Sequence, residues 1–319
     1  MHLFKSLLQR DYWHEESGIG PNITPERLGG YYRDLRKKTE MSGKVVSDLG
    51  VPLAKVQGKF MLQPVTVCQV ALGWHERWIE DVSSDQALNR FLLLANWLVE
   101  NSEDRNMLGR VWPMQYGIAT YSLSPGWISA LVQGQAVSVL VRAYQITKRD
   151  VYLQTAQGAL RPFMVNKHFG GVVSEGEDGT IFFEEYPSLE KNHVLNGFIS
   201  SLWGLYDYYL AINDESIKNL FLKGVTSLLN SINLFDTGFW SRYSLLKHRN
   251  ISNLASPYYH KAHISQLIAT NYLYKSPIFL EFANKWEQYL KNRKNLYRVI
   301  FEKGISRIFF VYNEKKTYF

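Results

Sequence analysis

The sequence predicts a mainly α fold of tandem helical hairpins, stacked as a solenoid or curled into an α/α toroid, with short β-hairpins and a small mixed N-terminal segment. Helical periodicity dominates from Pro64 onward. Pairs of apolar helices recur at a spacing of roughly 65 residues, as in a tandem helical repeat. Each pair is introduced by a long loop, so the loops gather at one end of the array. A ring with one decorated end suits an enzyme better than a flat binding array.

Before residue 60, Gly18, Gly20, Pro21, Pro25, Gly29 and Gly30 break any long helix, and short extended pieces are expected at 45–46 and 51–56. Val65, Val67, Val70, Ala71 and Leu72 open the first helix, and its partner covers 87–100. A long loop over 101–121 carries Trp112-Pro113. The next helix, 127–147, places Ala130, Leu131, Val137, Val141 and Tyr144 at helical spacing, with Gly134 and Ala136 small enough for close packing. Ser124-Pro125-Gly126 sets its start, and a partner follows over 151–164. Residues 170–174 and 180–183 alternate like a β-hairpin about Asp178-Gly179. The cycle repeats with helices at 192–212 and 215–232, then at 260–274 and 278–292. Gly134 and Gly197 hold equivalent places in it. The tail, 297–319, reads as a short strand pair or helix. The expected division is therefore 1–60 packed on the helices, 61–296 as the helical domain, and 297–319 as the tail.

With 319 residues, 46% hydrophobic and 20% charged, the chain can bury one large core or two smaller ones. Its 20 Tyr and 9 Trp fill a core, and such rings also stack on sugars. Trp112 and Trp127 are expected in the core. A net charge of +7 suits a polyanionic partner, and no nucleic-acid motif accompanies it. The densest basic runs, 33–38 and 291–298, read as solvated faces. Cys68 is the only cysteine, which excludes an intrachain disulfide and a thiolate metal site. Neither a signal peptide nor a bilayer-spanning apolar run is evident, so the expected location is the cytoplasm, without membrane insertion.

Chemistry concentrates at the starts of helices. Glu184-Glu185-Tyr186-Pro187 precedes Val194-Leu195-Asn196-Gly197-Phe198. Asp236-Thr237-Gly238 is followed by Tyr243, and Pro257-Tyr258-Tyr259-His260 by His263-Ile264. An acid, several phenols and basic groups at one mouth point to proton transfer on a sugar acid. Plainer readings exist. Glu184 and Glu185 suit a helix N-terminus as capping acids. Tyr243 and Tyr259 suit a hydrophobic rim. His260 and His263 have metal-ligand spacing, but no third ligand is evident and no metal is expected.

Three ordered segments resemble the C-terminal domain of the D-glucuronyl C5-epimerases over about 50–292. They are Pro125-Gly126-Trp127-Ile128-Ser129-Ala130 with Gln133-Gly134-Gln135-Ala136 and Leu140-Val141-Arg142-Ala143-Tyr144; the Glu184 segment with Gly204-Leu205-Tyr206-Asp207; and the Asp236 and Tyr259 segments ending in Gln266-Leu267. The resemblance implies an incomplete α/α toroid, reversible glucuronate–iduronate epimerisation in a heparosan-like polymer, a homodimer and no organic cofactor. It places Glu185, Tyr186, Tyr243 and Tyr259 as catalytic residues. It puts Tyr32, His75, Gln133 and Asn196 among the substrate contacts, His75 standing near a family tyrosine. Gln63 replaces an aromatic, and Leu246 stands where the family carries an arginine. The short connection between Trp78 and Ala87 implies a compact form.

Inverting carbon 5 of a uronate removes a very weakly acidic proton beside a carboxylate. A cation must neutralise that carboxylate and hold the dianion. Arg242, Lys247 and His260 are the candidates, with Arg242 favoured chemically for its bidentate fork and Lys247 by position. Glu185 or a tyrosinate can take the proton, and Tyr259 or Tyr186 can return one from the opposite face. A lyase that expels the carbon 4 substituent from the same enolate is the enzymatic alternative. A non-catalytic acidic-glycan module and a protein-interaction repeat are the others.

Overall fold

The computed structural model describes residues 18–40, 42–248 and 251–316. The molecule is mainly helical, built from paired helices. These are α1 (Pro64–Glu80) with α2 (Asp85–Glu100), α3 (Ala130–Thr147) with α4 (Asp150–Ala159), α5 (Leu195–Ile212) with α6 (Glu215–Ser231), and α7 (Pro257–Leu273) with α8 (Pro277–Lys291). The first helices of the pairs form a row, α1 on α3, α3 on α5 and α5 on α7, and each second helix packs against its own partner. Burial follows that layout. α3 and α5 are covered on nearly every side, whereas α2 buries one stripe, Ala87, Phe91, Leu94, Ala95 and Leu98, at helical spacing.

Glycine sets the tightest crossing. A Cβ on Gly204 would meet the Gly134 carbonyl oxygen at 2.2 Å, and one on Gly134 would meet the Ser201 Cα at 2.6 Å. Gly134 therefore serves the α3–α5 contact, while Gly197, expected to hold the equivalent place in the repeat, serves the cleft described below.

Local signals explain the helix ends. Ser256 caps α7 by accepting from the Tyr259 amide, and Pro257 occupies the first turn, so α7 opens three residues before the expected start. α3 begins at Ala130 because Ser129 before it is extended, and the Trp127 carbonyl accepts from the Met114 amide at 2.8 Å. α5 begins at Leu195 because His193 takes a positive φ of 39°. α4 stops at Ala159, just ahead of Pro162.

Antiparallel two-stranded hairpins fill the loops: β1 (Leu53–Val56) with β2 (Lys59–Leu62), β3 (Glu103–Asp104) with β4 (Arg110–Val111), β5 (Val173–Glu175) with β6 (Ile181–Phe183), and β7 (Arg242–His248) with β8 (Ile251–Leu254). The hairpin about Asp178-Gly179 is the expected one. β3–β4 and β7–β8 lie where the sequence suggested loops. Residues 293–316 form one helix, α9 (Arg293–Lys316), so the tail is helical rather than a strand pair.

A buried ion pair ties the N-terminal segment to the helices. Arg142 of α3 meets Asp207 of α5 at 2.6 Å, and both are almost wholly enclosed. The Arg142 Nε donates to the Gly29 carbonyl at 3.0 Å, and the Tyr32 hydroxyl donates to Asp207 at 2.7 Å. Trp112, Trp203, Trp240 and Trp286 are fully buried, and Cys68 lies in the core as expected. Among the described residues no helix is long and apolar enough to cross a membrane.

Candidate active site

A cleft of about 1070 Å³ opens where the N-terminal ends of α1, α3, α5 and α7 converge, marked by Thr66, Leu131, Asn196 and Tyr259. Glu185, Tyr186 and Tyr243 line the same space.

Glu184 and Glu185 diverge where the chain leaves β6, Glu184 being paired through its backbone while the chain bends at Glu185 and Tyr186. The Glu184 amide donates to the Val172 carbonyl at 2.8 Å, and its own carbonyl accepts from the Ala130 amide at 3.0 Å. The Glu184 carboxylate points into the fold, where Ser174 donates to it at 2.6 Å and His193 Nδ1 lies 2.7 Å away. It braces the β5–β6 hairpin and caps no helix. Glu185 faces the cleft and is 5% exposed.

Glu185 is held by side-chain donors. The Tyr243 hydroxyl reaches Oε1 at 3.3 Å, and Asn196 Nδ2 reaches Oε2 at 3.2 Å. Burial pushes its pKa up to about 7, against the lowering effect of bonds from Tyr186, Tyr243 and Asn196. Gly197 leaves room for the carboxylate, since a Cβ there would meet Oε2 at 2.4 Å.

β7 delivers Tyr243. Its Leu245 amide donates to the Asn192 carbonyl at 2.6 Å, and Ser244 bridges Val194. That pairing sets the Tyr243 hydroxyl 3.4 Å from the Tyr186 hydroxyl. Tyr259, in the first turn of α7, packs its ring 4.8 Å from that of Tyr243. Tyr121 stacks on Tyr186 at 4.4 Å with planes 12° apart. Burial, and then the negative Glu185, hold the Tyr186 and Tyr243 phenols well above their usual range, so both keep their protons.

The structure thus brings Glu185, Tyr186, Asn196, Tyr243 and Tyr259 into one cleft. Other residues expected there are elsewhere. Tyr32 is buried on Asp207 as a structural donor. His75 is buried against Phe91, its ring 5.0 Å away, and desolvation keeps it neutral. Gln133 is spent on the fold, donating to the carbonyls of Arg110 at 3.0 Å and Ala159 at 3.1 Å; Gln135, two residues on, lines the cleft. Arg242 turns to the opposite side of β7 from Tyr243 and donates to the carbonyls of Leu234 and Asp236. His260 stacks on Trp240 at 3.7 Å and bonds the Trp286 carbonyl through Nε2 at 2.9 Å. Burial lowers its pKa to about 4, so it supplies no positive charge at neutral pH. Lys247 lies in β7 opposite Ser252, and its side chain is outside the described residues.

The cleft also holds residues the sequence did not nominate: Tyr121, Arg33, Lys38 and Lys303. Arg33 is 6% exposed and Lys38 3% exposed, which overturns the reading of 33–38 as a solvated face. No periodicity marks either one, because both reach the cleft by tertiary packing of an irregular segment. Among the described residues no group of three or more His, Cys, Asp or Glu side chains is placed to hold a metal ion.

Residues 106–288 match the family model of the D-glucuronyl C5-epimerase C-terminus. The chain is 35% identical over 227 residues to a D-glucuronyl C5-epimerase of Caenorhabditis elegans, a match covering 66% of this chain and 36% of that protein. It is 26% identical over 215 residues to an uncharacterized protein of Methanocaldococcus jannaschii, covering 64% of this chain and 68% of the relative. It therefore spans little more than a third of the nematode protein.

Proposed function

Because the chain belongs to the D-glucuronyl C5-epimerase C-terminal family, we propose that it interconverts D-glucuronic and L-iduronic acid residues in an acidic, heparosan-like polysaccharide. The observation that carries the proposal is the placement of Glu185 among Tyr186, Tyr243 and Tyr259 in a single cleft. The row of helices α1, α3, α5 and α7, with their N-terminal ends at that cleft, supports an incomplete α/α toroid as its scaffold.

The chemistry divides between two kinds of group. Ionised Glu185 takes the proton from carbon 5, and the C–H electron pair moves into the uronate carboxyl as a dianionic enolate. A protonated phenol on the opposite face, assigned to Tyr259, then returns a proton to carbon 5 and inverts it. A pKa of about 7 suits Glu185 to this work, ionised in a large fraction near neutrality yet more basic than an ordinary carboxylate. The neutral phenols of Tyr186 and Tyr243 hydrogen-bond the carboxylate and its neighbours without adding negative charge to the site.

Incubation with unsulfated glucuronate–glucosamine polymer in heavy water tests the proposal. Deuterium at carbon 5 of intact chains, with new iduronate signals in the proton spectrum, is the expected result. Chain shortening with an unsaturated, ultraviolet-absorbing sugar would assign β-elimination instead. Tight binding without either product would leave a glycan-binding module.

A further inference from the structure

Abstraction at carbon 5 places a second negative charge beside the uronate carboxylate, and a cation facing that carboxylate stabilises both. Leu246 is apolar and buried, Arg242 is bound to backbone carbonyls outside the cleft, and His260 is neutral. The cations that do line the cleft among residues with described side chains include Arg33, Lys38, Lys55 and Lys303.

Arg33 is the best placed of them. It comes from the N-terminal segment, outside the family-matched residues 106–288. At 6% exposure its charge is largely desolvated, so an anion bound there meets little screening. One Nη donates to the Tyr258 hydroxyl at 3.1 Å, and the Tyr258 ring stands edge-on to Tyr259 at 5.0 Å. That puts a planar guanidinium beside the phenol assigned to deliver the proton. Its fork can make two parallel bonds to a carboxylate, which an ammonium cannot. By contrast, Lys55 is itself exposed on β1, and Lys303 donates to the Leu254 carbonyl at 2.7 Å.

Resting on the epimerase proposal, we propose that Arg33 grips the uronate carboxylate in the cleft and holds the dianion formed next to Tyr259. The N-terminal segment is thereby part of the active site rather than a brace for the helices alone.

The test is a binding cycle. A glucuronate oligosaccharide and its carboxyl-reduced counterpart are titrated against the wild-type protein and against Arg33→Gln. The wild type is expected to prefer the carboxylated ligand by about tenfold or more, and Arg33→Gln to bind the two alike, as for loss of a charged hydrogen bond. A merely structural arginine would weaken both ligands equally and leave the preference intact, which would overturn the assignment. Loss of the preference in Lys38→Gln or Lys303→Gln, with Arg33→Gln unaffected, would overturn it too. Arg33→Lys keeps the charge in case Arg33→Gln fails to fold, and it is expected to retain only part of the preference. Carbon 5 exchange by the wild type is measured separately. Its absence would count against epimerisation, whereas the ligand preference reports on Arg33 with or without turnover.

Discussion

The Oε2 of Glu185 occupies the space that a side chain on residue 197 would need: a Cβ at Gly197 would meet it at 2.4 Å and the Glu185 Cβ at 2.6 Å. The first turn of α5 therefore acts as a backstop for the carboxylate, and Asn196, one residue earlier, binds the same oxygen.

Gly197→Ala is expected to displace Glu185 and lower kcat by about 100-fold, the usual cost of shifting a reacting group by an ångström. Overpacking should also cost about 1–3 kcal/mol of stability. Exchange rates and urea melts measured on the same preparation separate the two effects. Full activity in this variant would show that the carboxylate position is not critical.

The acidity of Glu185 makes a second prediction. Its pKa stands near 7 in the fold against 4.5 without burial, so kcat/KM should rise with pH through about 7 as the base form appears. Stability has the opposite sign. The folded state holds the proton more tightly, so the contribution is complete below 4.5 and is lost as pH rises through about 7. Glu185→Gln should therefore gain on the wild type by on the order of 2–3 kcal/mol between about pH 4 and pH 8, while losing activity. Parallel denaturation curves at the two ends of that range check the shift.

Tyr259→Phe should split exchange from inversion. With Glu185 intact, carbon 5 still takes up deuterium from one face, but the proton from the other face is missing. The proton spectrum is expected to show deuterated glucuronate with little iduronate formed. Iduronate formation at the wild-type rate would remove Tyr259 from the mechanism.

Tyr32 and Asp207 test the fold rather than the chemistry. Tyr32→Phe removes one donor to Asp207 and should cost about 1–3 kcal/mol. Asp207→Asn breaks the enclosed pair with Arg142 and should cost about 3–5 kcal/mol. In folded Tyr32→Phe protein, kcat/KM should match the wild type. A large fall in kcat/KM with unchanged melting would return Tyr32 to the substrate.

Much of this was legible in the chain alone. Helical hairpins, loops at the helix starts and the β5–β6 turn follow from periodicity and turn residues, and the Glu185, Tyr186, Asn196, Tyr243 and Tyr259 constellation from the resemblance of their motifs to the C5-epimerase family. These signals act over a few residues, and they survive because each helix carries its own apolar face and cap. Tertiary structure decided which polar groups meet. Glu184 and Glu185 are adjacent in sequence, yet backbone pairing to Val172 and Ala130 sends one inward and the other to the cleft. Tyr243 reaches Glu185 across 58 positions because β7 pairs with the loop before α5. Arg33 reaches Tyr258 across 225 positions, whereas Arg242 and His260, nearer the motifs, are bound into the fold. A buried cation goes where packing and hydrogen bonding offset its desolvation, and those contacts come from segments far apart in the chain.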